Sequence, residues 1–554
     1  MKQIEIYCKN TDSTHYYPMG TSLLEISNDL NIQLKNRVCG AVANNKVREL
    51  SFCVVKAKRI EFFDISHPDG VRLYVRSLIF ILHAAVTKVL PDVALQVQNG
   101  ISNGIFCELN GLEREISEED ISALVNEMKA IIAQDIPFIK KDIKTDEAIK
   151  LLEKQRLFDK TELFKQQGHL YSHLYFLNEL GNYFYGHLLP STGYVENFGL
   201  VKYFNGLLLQ IPKRKNINKL RKVVEHKKLF DIYQEHKKWA EILNISTIGN
   251  LNSYTLDKKC GHVIKISEAL HEKRIAEIAN QISMRDGDVK VVLIAGPSAS
   301  GKTTFSKRLG VQLAVNGLRP YQISLDNYFV DREKTPRDEF GEYDFEVLEA
   351  IDVDFFNQQL IDLMDGKEVR LPKFDFHRGK RLMNGDSLKL LPGDILVVEG
   401  IHGMNPNLLT KVHTENTFKI FISALTQISF DEHTHISAAD NRLIRRMTRD
   451  SKYRGYPATE TIKRWPSVRR GEEKNIFPFQ ENADVMFNSA TLYELAVLKK
   501  YAEPILKQVP ENRVEYSEAT RLLKFLSYFK PIDDEEIPPT SLLREFLGGS
   551  SFAY

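Results

Sequence analysis

The chain has 554 residues, of which 43% are hydrophobic, so it is long and apolar enough for roughly two to four domains with buried cores. Its formal net charge of +2 does not suggest an overall field that would attract nucleic acid. The five cysteines form no C-x-x-C pair, no apolar leader follows Met1, and no apolar run is long enough to span a membrane. These features argue against a disulfide framework, a thiolate zinc site and a membrane span, and they predict a cytoplasmic protein.

Residues 1–63 are predicted to form a small α+β unit of ubiquitin-like size. Its predicted strands are 4–6, 41–42 and 52–55, and its helix is 21–30. The stretch 17–25, which leads into this helix, resembles a TGS domain, a β-grasp-like module often found on proteins that handle RNA or guanine nucleotides. An inert folding or docking module is the alternative.

Residues 64–212 are predicted to be a second α+β unit. A long helix over 73–90 precedes two strands, and a capping box at 117–120 opens another helix. The run resembles the second additional, editing-type domain of threonyl-tRNA synthetases. In that family a H-x-x-x-H pair and a C-x-x-x-H pair form a metal-like cluster, whereas the matching positions here hold Arg76, Phe80, Phe184 and Leu188. We therefore predict neither tRNA editing nor a metal in this unit, which would remain as a scaffold or a binding surface.

Residues 213–285 are predicted to be a basic helical connector. Lysines and arginines alternate with apolar residues at near-helical spacing over 213–245, and a further helix is expected over 267–279. The charged face of an amphipathic helix is usually solvated. Contact with an RNA backbone is the alternative, because basic stripes bind phosphates without sequence preference.

Residues 286–554 open with an apolar strand, followed by the pattern G-x-x-x-x-G-K-T and then an apolar-periodic helix. This order is typical of a P-loop, in which backbone N–H groups and a helix N-terminus hold phosphates. Lys302 is expected to reach the β- and γ-phosphates, and the Thr303 hydroxyl to hold Mg²⁺. The residues predicted to bind the nucleotide are Gly296, Pro297, Ser298, Ala299, Ser300, Gly301, Lys302, Thr303 and Thr304.

Further strands alternate with helices downstream, which predicts a parallel sheet covered by helices. The predicted strands are 320–325, 394–398, 418–422 and 484–487. Asp326 and Glu399 each follow one of them, so both should lie near the P-loop at the carboxyl edge of the sheet. One acid can support Mg²⁺ and the other can accept a proton, although either could simply cap a helix. The predicted metal-site residues are Thr303, Glu399 and Asp326.

A run of arginines between 442 and 455 forms a third element. Arg442, Arg445, Arg446 and Arg449 share one face of a helix, and such a face suits closure over phosphates. A solvated charge run is the alternative.

The order of motifs in this half resembles the uridine kinase family, within the phosphoribulokinase/uridine kinase group of P-loop kinases. The motifs are the P-loop and the stretches 324–329, 343–346, 371–378, 398–401 and 445–455. The resemblance implies that Asp326 is the base for a nucleoside 5′-hydroxyl and that Glu399 is the acid after the Walker-B-like strand. It also implies that Arg446, Arg449 and Arg454 serve the lid and the phosphate site. Asp326, Lys302 and Arg449 form the predicted catalytic set.

The same resemblance implies an aromatic substrate pocket. Phe329 stands near the nucleoside, Phe345 and Glu346 match a pair that contacts base and ribose, and Phe374 and Phe376 match residues that line the base pocket.

Two positions depart from the family pattern. His377 is only a substitute for the family histidine that reads the pyrimidine edge, and Arg464 replaces a glutamine that contacts the base. The stretch 423–440 is also longer than its family equivalent. These departures leave the identity of the base open, including purines.

The predicted fold is an α/β P-loop kinase preceded by a β-grasp-like TGS domain and an α+β synthetase-like domain. The predicted function is transfer of the γ-phosphoryl group of ATP, with Mg²⁺, to the 5′-hydroxyl of a nucleoside of uridine or cytidine type. The alternatives are a kinase of a sugar phosphate or other small alcohol, and an RNA-associated regulatory NTP-binding protein. In that last alternative, RNA would contact the N-terminal half and the basic connector. Association between copies of the chain is a further open possibility.

Overall fold

The computed structural model describes residues 2–214, 216–285, 288–376 and 378–553. Its first unit is a mixed five-stranded sheet in the order β2-β1-β5-β3-β4, in which β1 and β5 are parallel. Leu23 and Ile26 of its one helix pack into the core of the unit. The elements are β1 (Gln3–Cys8), β2 (Ser13–Pro18), α1 (Leu23–Asp29), β3 (Gly40–Ala43), β4 (Lys46–Arg48) and β5 (Lys58–Phe63). Assignment of this unit to the TGS domains stays a prediction.

The strand predicted over 52–55 is wrong. The backbone carbonyls of Leu50, Phe52 and Val54 accept hydrogen bonds from the N–H groups of Leu24, Leu23 and Gly20. This segment therefore satisfies the free amides at the start of α1 instead of extending the sheet.

The second unit contains a four-stranded sheet, β11-β12-β7-β6, and a three-stranded sheet, β10-β9-β8. Its predicted long helix, paired strands and capping box at Ser117 are confirmed. The elements are α2 (Pro68–Val89), β6 (Ala94–Ile101), β7 (Gly104–Asn110), α3 (Glu118–Ala133), β8 (Ile139–Lys144), α4 (Thr145–Lys154), α5 (Phe158–Gln167), β9 (Tyr171–Leu177), β10 (Leu180–Asn182), β11 (Gly199–Tyr203) and β12 (Gly206–Gln210).

The helix α2 is long and apolar enough to cross a membrane by length and composition, but 67% of its apolar window is buried inside the protein. Of the four positions compared with the synthetase ligands, Arg76 and Phe80 lie on α2, and Phe184 and Leu188 follow β10. The rings of Phe80 and Phe184 have centroids 5.5 Å apart, and Leu188 belongs to the same apolar core. Arg76 Nη1 donates to the His187 carbonyl oxygen at 3.3 Å.

The single amphipathic helix predicted over 213–245 is wrong. The stretch begins with the hairpin β13 (Pro212–Lys213) and β14 (Asn216–Leu220), in which Ile217 joins the core around α2. Helices α6 (Lys227–Ile242), α7 (Ile248–Leu256) and α8 (Cys260–Ser283) follow. Several of its lysines are paired within the protein, since Lys228 Nζ donates to the Glu481 carbonyl oxygen and Lys237 to the Glu108 carboxylate.

The five-stranded sheet of the C-terminal part is wholly parallel, in the order β16-β21-β15-β22-β23. The predicted parallel sheet and its predicted strands are confirmed. The elements are β15 (Val291–Ala295), α9 (Lys302–Val315), β16 (Arg319–Ser324), α10 (Val353–Met364), β21 (Asp394–Glu399), β22 (Thr417–Ser423) and β23 (Val485–Asn488). Two small hairpins lie between α10 and β21: β17 (Val369–Arg370) with β20 (Ser387–Leu388), and β18 (Lys373–Asp375) with β19 (Lys380–Leu382).

A helical hairpin links β22 to β23, and further helices complete the chain. They are α11 (Ala438–Tyr453), α12 (Ala458–Asn475), α13 (Glu494–Lys507), α14 (Tyr516–Leu526) and α15 (Arg544–Leu547). One apolar core contains Leu152 and Leu163 of the second unit together with Leu443, Tyr493 and Phe525 of the C-terminal part. The N-terminal half therefore packs directly against the helices that surround the parallel sheet.

Candidate active site

The loop between β15 and α9 has the backbone geometry of a phosphate cradle. Gly301 is the N-cap of α9 with φ +86°, and Ala299 is also left-handed with φ +58°. A Cβ atom at Gly296 would lie 2.3 Å from the Ile422 carbonyl oxygen, so only glycine fits there. Lys302 begins the helix, and its Nζ donates to the Pro297 carbonyl oxygen at 3.2 Å. The buried Ser300 Oγ has no partner among the described residues.

Asp326 and Glu399 meet at the carboxyl edge of the sheet, as predicted. Ser324, the last residue of β16, pairs in register with Glu399, the last residue of β21, and Ser324 Oγ donates to Glu399 Oε1 at 2.9 Å. Asp326 follows directly in a short 3₁₀ turn, with its side chain exposed to the cleft.

The two carboxyls have raised pKa values. Desolvation by the surrounding walls, together with the charge of Asp326, raises the pKa of Glu399 to about 7. Desolvation also raises the pKa of Asp326, although Lys302, Arg454 and Arg449 oppose this. Burial therefore favours the protonated form of each carboxyl when no cation is bound.

This donor set fits a magnesium ion bound together with nucleotide phosphates. Mg²⁺ prefers oxygen ligands and is usually held by one or two carboxylates plus phosphate. Glu399 and Asp326 supply the carboxylates, and Thr303 supplies a hydroxyl on the first turn of α9. Among the described residues, no group of three or more His, Cys, Asp and Glu side chains could hold a metal ion.

The four predicted aromatic residues form one cluster. The Phe329 ring has its centroid 6.0 Å from that of Phe345 and 5.7 Å from that of Phe374, and the centroids of Phe374 and Phe376 are 5.2 Å apart. Phe329 and Phe374 are buried, whereas Phe345 is 37% and Phe376 56% exposed. The buried pair therefore packs beneath two exposed rings that can contact a flat ligand.

Glu346 follows directly after Phe345 in the chain. Its buried Oε2 has no hydrogen-bond partner among the described residues. Burial and the neighbouring Glu472 raise the pKa of Glu346 to about 7, with Arg446 and Lys302 opposing. An unpaired buried acceptor of this kind can accept a hydrogen bond from a ligand hydroxyl.

The predicted phosphate-site arginines converge at the C-terminal end of α11. Arg449 Nη2 donates to Asp450 Oδ1 at 2.9 Å, and Arg454 Nη1 lies 3.6 Å from the same oxygen. Arg446 Nη1 donates to Ser298 Oγ in the P-loop at 2.8 Å. The arginines thus face the P-loop and Asp326 from the opposite side of the cleft.

Comparison with known proteins agrees with this geometry. Residues 291–496 match the family model described as Phosphoribulokinase / Uridine kinase family. Uridine kinases of Staphylococcus epidermidis and Staphylococcus aureus are each 28% identical over 211 residues, which is 37% of this chain and 91% of theirs. The C-terminal part of the chain holds a P-loop kinase domain of this family.

Two solved structures are similar to part of the chain. A possible uridine kinase from Bacillus stearothermophilus is 19% identical and covers 39% of this chain and 98% of its own, with a TM-score of 0.28. A putative fructose transport system kinase from Silicibacter sp. TM1040 is 17% identical and covers 38% and 98%, also with a TM-score of 0.28.

The kinase domain also contains a buried ion pair that sequence reasoning missed. Glu472 of α12 accepts two hydrogen bonds from Arg442 and a third, at 3.0 Å, from the Ser298 backbone N–H. Arg442 Nη1 donates in turn to the Ser298 carbonyl oxygen at 3.0 Å. The pair therefore holds both sides of one P-loop residue, although no sequence motif marks Glu472.

Two of the arginines predicted to face the phosphates are instead buried in the kinase domain. Arg442 is held by Glu472, and Arg445 is held by Glu494 and the Ser489 carbonyl oxygen. Arg442 and Arg445 therefore brace the P-loop, and their charges are already paired. Arg446 and Arg449 lie nearer the cleft.

Of the two positions expected to depart from the family pattern, the structure describes Arg464. Arg464 is exposed on α12, with its guanidinium carbon 5.4 Å from the centroid of the Tyr456 ring. His377 lies outside the described residues.

Proposed function

We propose that the protein transfers the γ-phosphoryl group of ATP to the 5′-hydroxyl of a nucleoside. The observation that carries the proposal is the cluster of four phenylalanines, one of which precedes Glu346, whose buried Oε2 has no hydrogen-bond partner among the described residues. Flat apolar rings favour stacking on a base, and the free acceptor suits a ribose hydroxyl. A uridine- or cytidine-type nucleoside is the first candidate.

On the donor side, the P-loop residues 296–303 bind the phosphates through backbone N–H groups and the Lys302 ammonium. Thr303, Glu399 and Asp326 would hold Mg²⁺, which when bound neutralises charge on the phosphates. Arg446, Arg449 and Arg454 close over the transferred group and exclude water. Most of the acceleration comes from this positioning and electrostatic stabilisation.

On the acceptor side, Asp326 orients the 5′-hydroxyl and accepts its proton. The raised pKa of Asp326 makes its carboxylate a better proton acceptor than an ordinary aspartate. Lys302, Arg454 and Arg449 oppose this rise in pKa, because their positive charges favour the carboxylate form that accepts the proton.

A kinase of a sugar phosphate or another small alcohol is the alternative within the same chemistry. Such an acceptor has no flat apolar part and would leave the exposed faces of Phe345 and Phe376 in contact with water. The aromatic cluster therefore favours a nucleoside.

An RNA-associated role is a second candidate, for which a large cleft is the supporting observation. This cleft of about 2160 Å³ lies between the N-terminal half and α12, and its basic lining residues include Arg59, Arg214, Arg221 and Arg470. Salt-sensitive binding of single-stranded RNA would support it.

The cytoplasmic location and the four-domain division likewise stay proposals.

The proposed activity is tested by coupled ADP release from the full chain with a panel of nucleosides and sugar phosphates. We expect turnover with one nucleoside, and a loss of about 10²–10⁴-fold in kcat for Asp326→Asn. Asp354→Asn is the matched control, since Asp354 is an exposed aspartate on the first turn of α10. Turnover with a sugar phosphate alone, or equal turnover of Asp326→Asn and wild type, would contradict the proposal.

A further inference from the structure

The C-terminal segment 541–547 is folded against the P-loop helix. Leu542 packs in the same apolar core as Phe305 and Leu309 of α9. Phe546 and Leu547 are also buried. The segment therefore belongs to the wall of the nucleotide site, although it lies more than two hundred residues after the P-loop in the chain.

Glu545 places a carboxylate on the first turn of the P-loop helix. Its Oε2 accepts a hydrogen bond from the Thr304 backbone N–H at 3.2 Å and another from Thr304 Oγ1 at 2.8 Å. Both residues are buried. The positive end of the helix dipole favours an anion at this place. A carboxylate of the chain itself thus occupies a donor group that a P-loop offers to phosphate.

The charge of Glu545 adds to that of the metal-site acids. Glu545 is one of the groups that raise the pKa of Glu399, after desolvation and Asp326. The cradle therefore carries more negative charge with the segment docked than it would without it. An incoming triphosphate meets this charge as repulsion.

The segment is also held by the helix that carries the phosphate-site arginines. The Arg445 guanidinium lies over the Phe546 ring, with its carbon 5.0 Å from the centroid, and Lys452 Nζ donates to the Leu547 carbonyl oxygen at 2.6 Å. Both Arg445 and Lys452 belong to α11. Displacement of the segment would therefore release contacts of α11 as well as Thr304.

We propose that the C-terminal segment 541–547 is an autoinhibitory plug, in which the Glu545 carboxylate takes the place of a donor-nucleotide phosphate on Thr304. The inference rests on the proposed function only in assuming that ATP binds at the P-loop. ATP and Glu545 compete for the same N–H and hydroxyl groups, so nucleotide binds after the segment has moved away.

The exchange keeps the Thr304 N–H paired in both end states. With the segment docked, the Thr304 N–H is satisfied by a carboxylate; with nucleotide bound, it is satisfied by phosphate. Since an unpaired buried amide is strongly unfavourable, the two paired states are favoured and the open state without an anion is a minority. The apparent nucleotide affinity is then the intrinsic affinity multiplied by the fraction of molecules in which the site is open.

The test is the dissociation constant of ATP·Mg²⁺, measured by calorimetry on the full chain in wild type, Glu545→Gln and Glu535→Gln. We expect Glu545→Gln to bind about tenfold more tightly, because the neutral amide competes less well for the helix N-terminus. Glu535 lies in the same tail and is exposed, so Glu535→Gln is expected to match wild type. Equal or weaker binding by Glu545→Gln would overturn the proposal.

Hydrogen exchange supplies a second measurement that needs no variant. Addition of ATP·Mg²⁺ to wild type is expected to increase exchange of the amides in 541–550, since the plug leaves its seat. Unchanged or slower exchange at saturating ATP would overturn the plug while leaving the kinase proposal intact. Conversely, ATP binding that releases the segment, without turnover of any nucleoside, would support the plug and contradict the nucleoside proposal.

Discussion

At the scale of single residues, the site combines carboxyls that are difficult to ionise with cations that partly compensate them. Glu399 and Glu346 both have a pKa of about 7, chiefly because desolvation disfavours the charged form. Lys302 lowers the pKa of both, and its ammonium lies at the start of α9. The free protein therefore stores electrostatic strain that a cation and a ligand hydroxyl can relieve.

This strain predicts a pH-dependent gain in stability for Glu399→Gln. The folded chain keeps the Glu399 proton up to about pH 7, whereas the unfolded chain releases it near the ordinary value of 4.5. The unfolded state thus binds fewer protons between these values, so the unfolding free energy of wild type falls as pH rises through them. We expect Glu399→Gln to be more stable than wild type by about 1–3 kcal/mol at pH 8 and similar to it at pH 4.5.

Thermal unfolding of both proteins without Mg²⁺ at pH 4.5 and pH 8 checks this expectation. Glu535→Gln is the control, because Glu535 is exposed and should show no difference at either pH. A difference in Tm between Glu399→Gln and wild type that is the same at both pH values would contradict the electrostatic explanation.

At the scale of elements, α11 and α12 act on the P-loop as a pair. Arg442 and Glu472 join the two helices and hold the carbonyl and the N–H of Ser298. Arg442 and the other nearby cation Arg469 lower the pKa of Glu472 despite its burial. Helix α11, which carries Arg442, therefore holds the phosphate cradle in shape before a nucleotide binds.

This contact predicts that Arg442→Met lowers the stability of the protein strongly. The substitution would leave the Glu472 carboxylate buried with a weaker counter-charge. We expect a loss of about 3–5 kcal/mol in the free energy of unfolding, measured with urea. The double variant Arg442→Met/Glu472→Gln should recover part of it. Arg464→Met, an exposed arginine on α12, is the control. A double variant less stable than Arg442→Met would contradict this account.

At the scale of the whole molecule, a buried polar cluster joins the N-terminal half to the kinase domain. Lys160 Nζ of α5 donates to Asp431 Oδ1 at 2.9 Å and to Glu432 Oε2 at 3.3 Å. Asp431 and Glu432 belong to the stretch 423–440, between β22 and the first residues of α11. This stretch thus contacts the N-terminal half next to the start of α11.

The cluster predicts that Lys160→Met destabilises the whole chain by about 3–5 kcal/mol, since it leaves two buried carboxyls without their cation. Urea unfolding followed by tryptophan fluorescence measures it, with Trp239 and Trp465 in the two halves. Lys165→Met is the matched control on the same helix, because the ion pair of Lys165 with Glu153 is exposed. Equal stability of the two variants would show that Lys160 does not join the halves.

The sequence alone determined the phosphate cradle and the parallel sheet. The P-loop depends on glycines at fixed spacing between a strand and a helix, so neighbouring residues contain the whole signal. Asp326 and Glu399 could be predicted to meet because the carboxyl ends of parallel strands share one edge. The aromatic cluster followed from the family resemblance.

The tertiary structure decided which charges are paired. Near-helical spacing over 213–245 gave no sign that Ile217 would be drawn into the core as part of a hairpin, or that Lys228 and Lys237 would find acids elsewhere. Likewise, Arg442 looks like Arg446 on a helical wheel, and nothing local distinguishes Glu472 or Glu545 from a surface acid. Their roles depend on contacts between distant parts of the chain, which are set by packing and not by local propensity.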